Sequence, residues 1–300
     1  MHKRLKIYGI LSSIGLLIVL LQGALVTKTG SGEGCGATWP LCFGEVIPVN
    51  PAIETIIEYS HRIVSGLVGV MIIILAIWSW KQLKHVREAK FMSITAVVMI
   101  IFQGLLGAGA VVFGQSKAIL ALHFGISAMS LASVVLLMIL AFEDGKPYRI
   151  APKVSTAYKT FFFFVITYCY VVIYTGAYVK HTESTLACAG FPLCNGQLFP
   201  GFVGPMGVQF LHRVAATLLV VLLFILMLWT ISRYKNEVVL VWTSIIAFFL
   251  VILQMISGIS VIFTQNELLS IGLMHALIIS ILFANLTYMA MVLLRRPYKG

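Results

Sequence analysis

The sequence predicts an all-α integral membrane protein in which eight transmembrane helices form two pseudo-symmetric four-helix bundles, with both termini in the cytoplasm. Three observations predict it: an apolar composition, eight long apolar runs, and a repeat of the first half of the chain in the second. Of the 300 residues, 60% are hydrophobic and 10% are charged, whereas a soluble domain has about 25% charged residues. The mean hydropathy is +1.01. This composition excludes a soluble globular protein.

The apolar runs are each long enough for a tilted helix that crosses a hydrocarbon core of about 30 Å. They cover approximately residues 7–27, 55–80, 91–113, 118–142, 160–179, 207–232, 238–263 and 268–294. Strands of a membrane barrel would be about ten residues long with alternating polarity, and no run alternates in this way. The first run is too long for the apolar part of a signal peptide and has no small-residue cleavage site, so we expect it to remain as a helix.

The basic residues predict the orientation of the helices. Most of them lie in the amino-terminal tail, after the second, fourth and sixth runs, and in the carboxy-terminal tail: Lys3, Arg4, Lys6, Lys81, Lys84, Arg87, Lys90, Lys146, Arg149, Lys153, Lys159, Arg233, Lys235, Arg295, Arg296 and Lys299. The opposite side has only Lys28, Lys117 and Lys180, with Arg62 and Arg213 at helix starts. The positive-inside rule therefore places both termini in the cytoplasm. This clustering also explains the net charge of +11 without a nucleic-acid partner.

The second half of the chain repeats the first. The first run ends QGALVTKTGSGEGCGATWPLC and the fifth ends YTGAYVKHTESTLACAGFPLC, while the third and seventh contain FQGLLGAGAVVF and LQMISGISVIF. His61 and His212 are 151 positions apart, and Cys42 and Cys194 are 152 apart. Four helices per half, each half beginning inside, predict a parallel repeat. The predicted divisions are residues 1–142, a cytoplasmic linker at 143–159, and residues 160–300.

Four histidines lie near the starts of the even-numbered helices, in the outer part of the membrane: His61, His123, His212 and His275. An imidazole inside a membrane span is costly and usually functional. A lone histidine could simply bridge two helices by a hydrogen bond, but four at repeated positions favour a cofactor. Two imidazoles on facing helices can ligate haem iron from both sides. Zinc fits less well, because it needs a third or fourth protein ligand close by.

An arginine follows one histidine in each half, at Arg62 and Arg213. A guanidinium suits a carboxylate, so both arginines are candidates for pairing with haem propionates. The alternative is that each side chain extends to the outer interface.

The two halves differ at one charged position beside these residues. The stretch EYSHR begins with Glu58, three residues before His61, so both side chains share one helix face. The matching stretch QFLHR begins with Gln209, which cannot ionise. A carboxylate in one half only indicates chemistry there, either proton transfer or stabilisation of a cationic intermediate. The alternative is a glutamate that the dipole near a helix amino terminus stabilises.

The cysteines predict two disulfides in the outer loops. Cys35 and Cys42 lie in the first outer loop, and Cys188 and Cys194 lie in the matching loop. Outside the cytoplasm disulfides form and persist, so we expect the bridges Cys35–Cys42 and Cys188–Cys194. The first pair could instead have a redox role. Cys169 lies inside the fifth run and is expected to be a small core residue.

Taken together, these residues resemble a known family. An eight-helix chain with a histidine near the start of each even helix, EYSHR in the first half only, and paired loop cysteines is similar to the bacterial haem A synthases, in the form found in Gram-positive bacteria. The resemblance covers essentially the whole chain.

The resemblance implies an oxidoreductase that converts haem O to haem A, oxidising the C8 methyl group to a formyl group through a hydroxymethyl stage. The resemblance implies that the histidines of the family's motifs match His61 and His123 as ligands of the substrate haem, and His212 and His275 as ligands of a resident haem b. Its essential glutamate matches Glu58. It further implies a cell-membrane location with haem sites toward the extracellular side, a haem O synthase upstream, terminal-oxidase assembly downstream, and an electron donor or acceptor.

Two other functions would also use four membrane histidines. A diheme b-type cytochrome would only carry electrons and would not need the difference between Glu58 and Gln209. A haem transporter would release its haem chemically unchanged, and repeated halves are common among transporters.

Overall fold

A computed structural model describes residues 2–114, 116–146 and 150–295. Within these ranges the long helices are α1 Lys3–Thr29, α2 Ile53–Gln82, α3 Arg87–Val112, α4 Lys117–Glu143, α5 Thr156–His181, α6 Gly204–Arg233, α7 Val238–Phe263 and α8 Leu269–Leu293. All eight are long and apolar enough to cross a membrane, and no strand occurs in the same ranges. The all-helical membrane class with eight spans is therefore confirmed. The pseudo-symmetry of the bundles and the cytoplasmic termini stay predictions.

The helices match the predicted runs, and several extend beyond them by about one turn. Helix α1 includes Lys3 and Lys6, and α5 includes Tyr158 and Lys159. The apolar runs stop at such residues but the helices continue, because long basic side chains and aromatic rings at helix ends reach the membrane interface.

The contacts divide the chain into two compact units, Met1–Gly145 and Lys146–Gly300. In unit 1, α1 and α3 both pack against α2 and α4. In unit 2, α5 and α7 both pack against α6 and α8. Each unit taken by itself is a closed four-helix bundle. Part of the predicted linker, residues 147–149 with Pro147 and Arg149, lies outside the described residues, as do Arg296 and Lys299 of the topology argument.

Each unit has a disulfide in the loop between its first two helices. Cys35 is bonded to Cys42, and Cys188 is bonded to Cys194, with a Cα–Cα distance of 4.6 Å in both pairs. All four cysteines are buried. The predicted pairing is confirmed, and Cys169 is a buried free thiol in α5.

Polar contacts join the helices at the opposite end of each bundle. In unit 1, Asp144 contacts Nε2 of His85 at 2.7 Å and Nε2 of His2 at 3.2 Å, which links the end of α4 to the α2–α3 turn and the start of α1. In unit 2, the hydroxyl groups of Tyr158 and Thr230 are 2.6 Å apart and join α5 to α6. The ends where the even helices begin are held instead by the disulfide loops.

Candidate functional site

The four predicted histidines lie about two turns from the starts of α2, α4, α6 and α8. The two even-numbered helices of each bundle begin at the same end, so His61 lies at the same level as His123 in unit 1, and His212 at the same level as His275 in unit 2. All four imidazoles are partly exposed. Each unit therefore brings its two predicted histidines near each other, at the end of the bundle where the disulfide loop lies.

Each of these imidazoles lies against a glycine of the preceding helix. A Cβ atom built on the glycine would lie 3.5 Å from Cε1 of His61 at Gly23, 3.4 Å from Cε1 of His123 at Gly107, 2.9 Å from Cε1 of His212 at Gly176, and 3.1 Å from Cε1 of His275 at Gly258. The glycines thus allow each ring to approach the backbone of its neighbour. Sequence reasoning missed all four, although they occupy matching places in the quoted repeat.

In unit 2, a hydroxyl group of a neighbouring helix contacts Nδ1 of each histidine. Thr175 Oγ1 is 2.9 Å from Nδ1 of His212, and Ser257 Oγ is 2.8 Å from Nδ1 of His275. The amide nitrogen of Gln254 is 2.9 Å from Nε2 of His275. Both ring nitrogens of His275 therefore have polar partners.

In unit 1 the same ring nitrogens have weaker contacts. Ser65 Oγ, on the same helix as His61, is 3.4 Å from Nδ1 of that histidine. Within the described part of the chain, no side chain pairs with Nδ1 of His123, and the buried Oε1 atoms of Gln22 and Gln103 have no hydrogen-bond partner. The backbone of Gln103 approaches the His123 imidazole. In unit 2 the Oε1 of Gln254, which matches Gln103 in the repeat, is likewise without a partner among the described residues. The difference between the units therefore lies in the hydroxyl contacts of the histidine Nδ1 atoms.

Glu58 joins α2 to the disulfide loop of unit 1. Its side chain is 5% exposed, and Oε2 accepts a hydrogen bond from the backbone N–H of Cys35 at 2.8 Å. Oε1 accepts from Nε of Arg62 at 3.0 Å, and Nη2 of the same arginine also contacts Oε1. The carboxylate is therefore in a buried ion pair one helical turn before His61.

Gln209 makes the same connection in unit 2 without a charge. Its Oε1 accepts from the backbone N–H of Cys188 at 2.5 Å, and its Nε2 donates to the carbonyl of Thr185 at 2.6 Å. The two positions thus share a structural contact to the first cysteine of each loop. They differ in charge and in the arginine contact.

The two arginines hydrogen-bond to loop carbonyls. Nη1 of Arg62 donates to Thr38 at 2.6 Å and to Leu41 at 2.9 Å. Nη2 of Arg213 donates to Cys188 at 2.7 Å, and Nη1 donates to Gly190 at 2.9 Å. Both arginines therefore hold the loop over the histidine end of the bundle.

The comparisons with known proteins cover nearly the whole chain. Residues 6–287 match the family model described as cytochrome oxidase assembly protein. A protein named Heme A synthase from Alkalihalophilus pseudofirmus is 75% identical over 98% of this chain and 99% of its own length. Relatives of the same name from Halalkalibacterium halodurans and Shouchella clausii are 66% and 59% identical, over 98% and 100% of this chain and 99% and 100% of their own lengths.

The chain belongs to the haem A synthase family. The paired loop cysteines on which the resemblance partly rested form the two disulfides described above.

A haem group, as the name haem A synthase implies, fits the residues that each unit brings together. Bis-histidine ligation of haem iron requires two imidazoles, and each unit has one on each of its two even-numbered helices. In unit 2 the amide of Gln254 contacts Nε2 of His275, and a haem iron would take the place of this contact when it binds that nitrogen. No group of three His, Cys, Asp or Glu side chains that could hold a bare metal ion occurs in the described residues.

Proposed function

We propose that this chain oxidises the C8 methyl group of haem O to a formyl group through a hydroxymethyl intermediate, and so supplies haem A to terminal oxidases. Full-length relatives named Heme A synthase support the product. The main support for placing the reaction in unit 1 is the comparison of Glu58 with Gln209. Both make the same loop contact, but only Glu58 is charged.

Unit 1 is the proposed substrate site, and His61 and His123 are the proposed ligands of the substrate haem. The carboxylate beside this pair supports the assignment, since an oxidation that releases protons needs a group to accept them. Unit 2 is the proposed site of one resident haem b, held by His212 and His275. When bound there, haem b supplies one-electron redox chemistry.

The oxidation proceeds in two two-electron stages. In the first, a C–H bond of the methyl group breaks and a C–O bond forms to the oxygen of a water molecule, with release of two electrons and two protons. In the second, the alcohol loses a C–H and an O–H hydrogen to become the aldehyde. An external electron acceptor takes up the electrons from both stages, which makes the chain an oxidoreductase.

Glu58 is proposed to accept a proton or to stabilise positive charge that develops at the reacting carbon. Each carboxylate oxygen can accept two hydrogen bonds, and among the described residues Oε2 accepts one from the backbone N–H of Cys35. The contacts with Cys35 and Arg62 hold the carboxylate in one place, which favours electrostatic stabilisation because the group need not reorient during the reaction.

Arg62 and Arg213 are proposed to position the haem propionates through the loops that they hold. In the described part of the chain, the buried Nε of Arg213 has no hydrogen-bond partner, so this N–H remains for a carboxylate. Arg62 uses its Nε to contact Glu58 instead.

The proposed location is the cell membrane, with both haem sites toward the extracellular side. Eight apolar spans and basic segments such as Lys81–Lys90 support this orientation. A haem O synthase is the proposed upstream partner, because haem O carries a long apolar tail and would arrive through membrane lipid. No part of the proposal involves nucleic acid.

The test is to express the chain beside a haem O synthase, in a host that makes no haem A of its own. Haems are extracted with acid–acetone and identified by chromatography and mass spectrometry. We expect haem A together with the hydroxymethyl intermediate. Extraction of unmodified haems only, with two bound per chain, would favour the electron carrier or the transporter.

A further inference from the structure

We propose that Thr175 and Ser257 are positioning residues that fix the axial histidines of the resident haem in unit 2. The absence of equivalent hydroxyl groups in unit 1 then leaves His61 and His123 able to reorient, so that a substrate haem can enter and a product haem can leave. The inference rests on the proposed assignment of a resident haem to unit 2 and a substrate haem to unit 1.

The hydrogen bonds of the two hydroxyl groups define how each imidazole is protonated. Thr175 Oγ1 donates its proton to the carbonyl of Val172 at 2.9 Å, and Ser257 Oγ donates to the carbonyl of Gln254 at 2.9 Å. A hydroxyl group has one proton, so toward the imidazole each oxygen can only accept. With the hydroxyl protons assigned to these carbonyls, the Nδ1 atoms of His212 and His275 are the donors.

An imidazole that donates through Nδ1 has its lone pair on Nε2. That tautomer is the one that binds a metal through Nε2, and hydrogen bonds of this kind fix the orientation and raise the basicity of metal-ligating histidines. In unit 2 each hydroxyl group comes from the helix that precedes the histidine, so the ring is fixed by two helices rather than one.

Unit 1 has different residues at both hydroxyl positions. In the repeat, QG of the first run aligns with TG of the fifth, which places Gln22 opposite Thr175. Likewise FQGLLG aligns with LQMISG, which places Leu106 opposite Ser257. Leucine cannot accept a hydrogen bond, and the Oε1 of Gln22 is buried without a partner among the described residues.

The histidines of unit 1 are accordingly less constrained. In the described ranges no side chain pairs with Nδ1 of His123, and the backbone of Gln103 is the group that approaches its imidazole. Nδ1 of His61 has only Ser65 Oγ, at 3.4 Å and on its own helix, beyond the 2.7–3.2 Å usual for a good N–H···O bond.

The glycine contacts give an independent indication of the same difference. In unit 2, a Cβ at Gly176 or Gly258 would lie 2.9 or 3.1 Å from the imidazole, which is closer than most real Cβ contacts. In unit 1, the values at Gly23 and Gly107 are 3.5 and 3.4 Å, which is ordinary contact. The rings of unit 2 are therefore packed more tightly against the backbone as well as hydrogen-bonded.

The experiment uses purified full-length protein that carries haem b, with Thr175→Val and Ser257→Ala as the test variants. We measure the midpoint potential of the haem and the rate at which it transfers to apomyoglobin. Loss of an acceptor at Nδ1 makes the ligand less basic, so we expect a more positive potential. We also expect haem affinity to fall about 10- to 100-fold.

The conservative variants Thr175→Ser and Ser257→Thr keep the hydroxyl group and should restore both properties. Ser65→Ala is the matched control in unit 1 and should leave the potential of haem b unchanged. A test variant that loses all haem supports the proposal if its conservative partner retains haem, and contradicts it if that partner also loses haem. Unchanged potential and transfer rate in both test variants would overturn it.

The double variant Gln22→Thr/Leu106→Ser tests the other half of the proposal. It should slow the transfer of haem O from unit 1 to apomyoglobin, whereas an unchanged rate would contradict the assigned mobility. Failure of the proposed function is a separate result: a wild-type chain that binds haem b but forms no haem A leaves the potential measurements valid.

Discussion

The backbone N–H of Cys35 donates a hydrogen bond to Oε2 of Glu58 over 2.8 Å. In unit 2, Cys188 makes the same bond to the amide oxygen of Gln209. A neutral amide therefore suffices to hold the first cysteine of such a loop. The charge of Glu58 is not needed for this contact, so its function must be sought elsewhere, in the ion pair with Arg62 or in the reaction.

Replacement of Glu58 by glutamine should stop the reaction while the protein stays folded. The amide can keep the bond to Cys35, as Gln209 does with Cys188, but it cannot take up a proton. Because general acid–base groups contribute about 10²- to 10⁴-fold to rate, we expect haem A formation to fall at least about 100-fold, with haem O or the alcohol accumulating. Haem extraction beside a haem O synthase measures this.

The matched control is Glu54→Gln, one turn earlier on α2, where the side chain is exposed. It should leave haem A formation unchanged. If Glu58→Gln forms haem A at the wild-type rate, the carboxylate has only the structural function that Gln209 shares.

Removal of Arg62 should destabilise unit 1 more than removal of Arg213 destabilises unit 2. Arg62→Ala leaves the buried Glu58 carboxylate unpaired, and breaking a buried ion pair in this way costs about 3–5 kcal/mol. Arg213→Ala leaves only loop carbonyls without a donor, at about 1–3 kcal/mol. Thermal unfolding in detergent compares the two variants.

A double variant separates the ion pair from the loop contacts. Glu58→Gln/Arg62→Ala has no buried charge left, so it should be more stable than Arg62→Ala alone. If the double variant is less stable than both single variants, Arg62 stabilises unit 1 through its loop contacts and not through the ion pair with Glu58.

Alanine at Gly176 and at Gly23 should have different effects on the two sites. The new Cβ would lie 2.9 Å from His212 in the first case and 3.5 Å from His61 in the second. Alanine is favoured over glycine inside a helix by about 0.5–1 kcal/mol. A loss of bound haem must therefore come from the steric clash between the new Cβ and the imidazole. We expect Gly176→Ala to lose haem b, measured by the absorbance of the purified protein, and Gly23→Ala to keep forming haem A. Equal behaviour of the two variants would contradict the tighter packing in unit 2.

The two disulfides should resist reduction equally in the folded protein. All four cysteines of the two disulfides are buried, and thiol–disulfide exchange requires access to a sulfur atom. We expect both pairs to react with dithiothreitol only as the protein unfolds, which alkylation of the free thiols followed by mass spectrometry measures. Removal of either bridge should lower the free energy of unfolding by about 2–3 kcal/mol. Early and selective reduction of Cys35–Cys42 would instead support a redox role for that pair.

The helices and disulfides could be predicted from the sequence because they depend on local properties. Twenty or so apolar residues must form a helix in lipid, since every backbone polar group must be satisfied there. The pairing of Cys35 with Cys42 follows from a short loop on an oxidising side. These predictions need no knowledge of which helix faces which.

The partners of the histidines could not be predicted in the same way. The contact of Thr175 with His212 joins two helices and depends on their rotation about their axes, which apolar composition does not define. The attachment of Glu58 and Arg62 to the loop was missed for the same reason, because the loop carbonyls of Thr38 and Leu41 carry no pattern in the sequence. The glycines opposite the histidines occur at matching positions of the repeat, but the sequence alone does not show that they contact the imidazole rings.

The most direct test of the assignment of the substrate haem to unit 1 and haem b to unit 2 uses His61→Ala and His212→Ala, each expressed beside a haem O synthase. The haems that purify with each variant are extracted and identified. If unit 1 binds the substrate and unit 2 the resident haem, His61→Ala retains haem b and contains no haem A or hydroxymethyl intermediate, while His212→Ala loses haem b. The opposite pattern, with haem b lost from His61→Ala and retained by His212→Ala, would contradict the account.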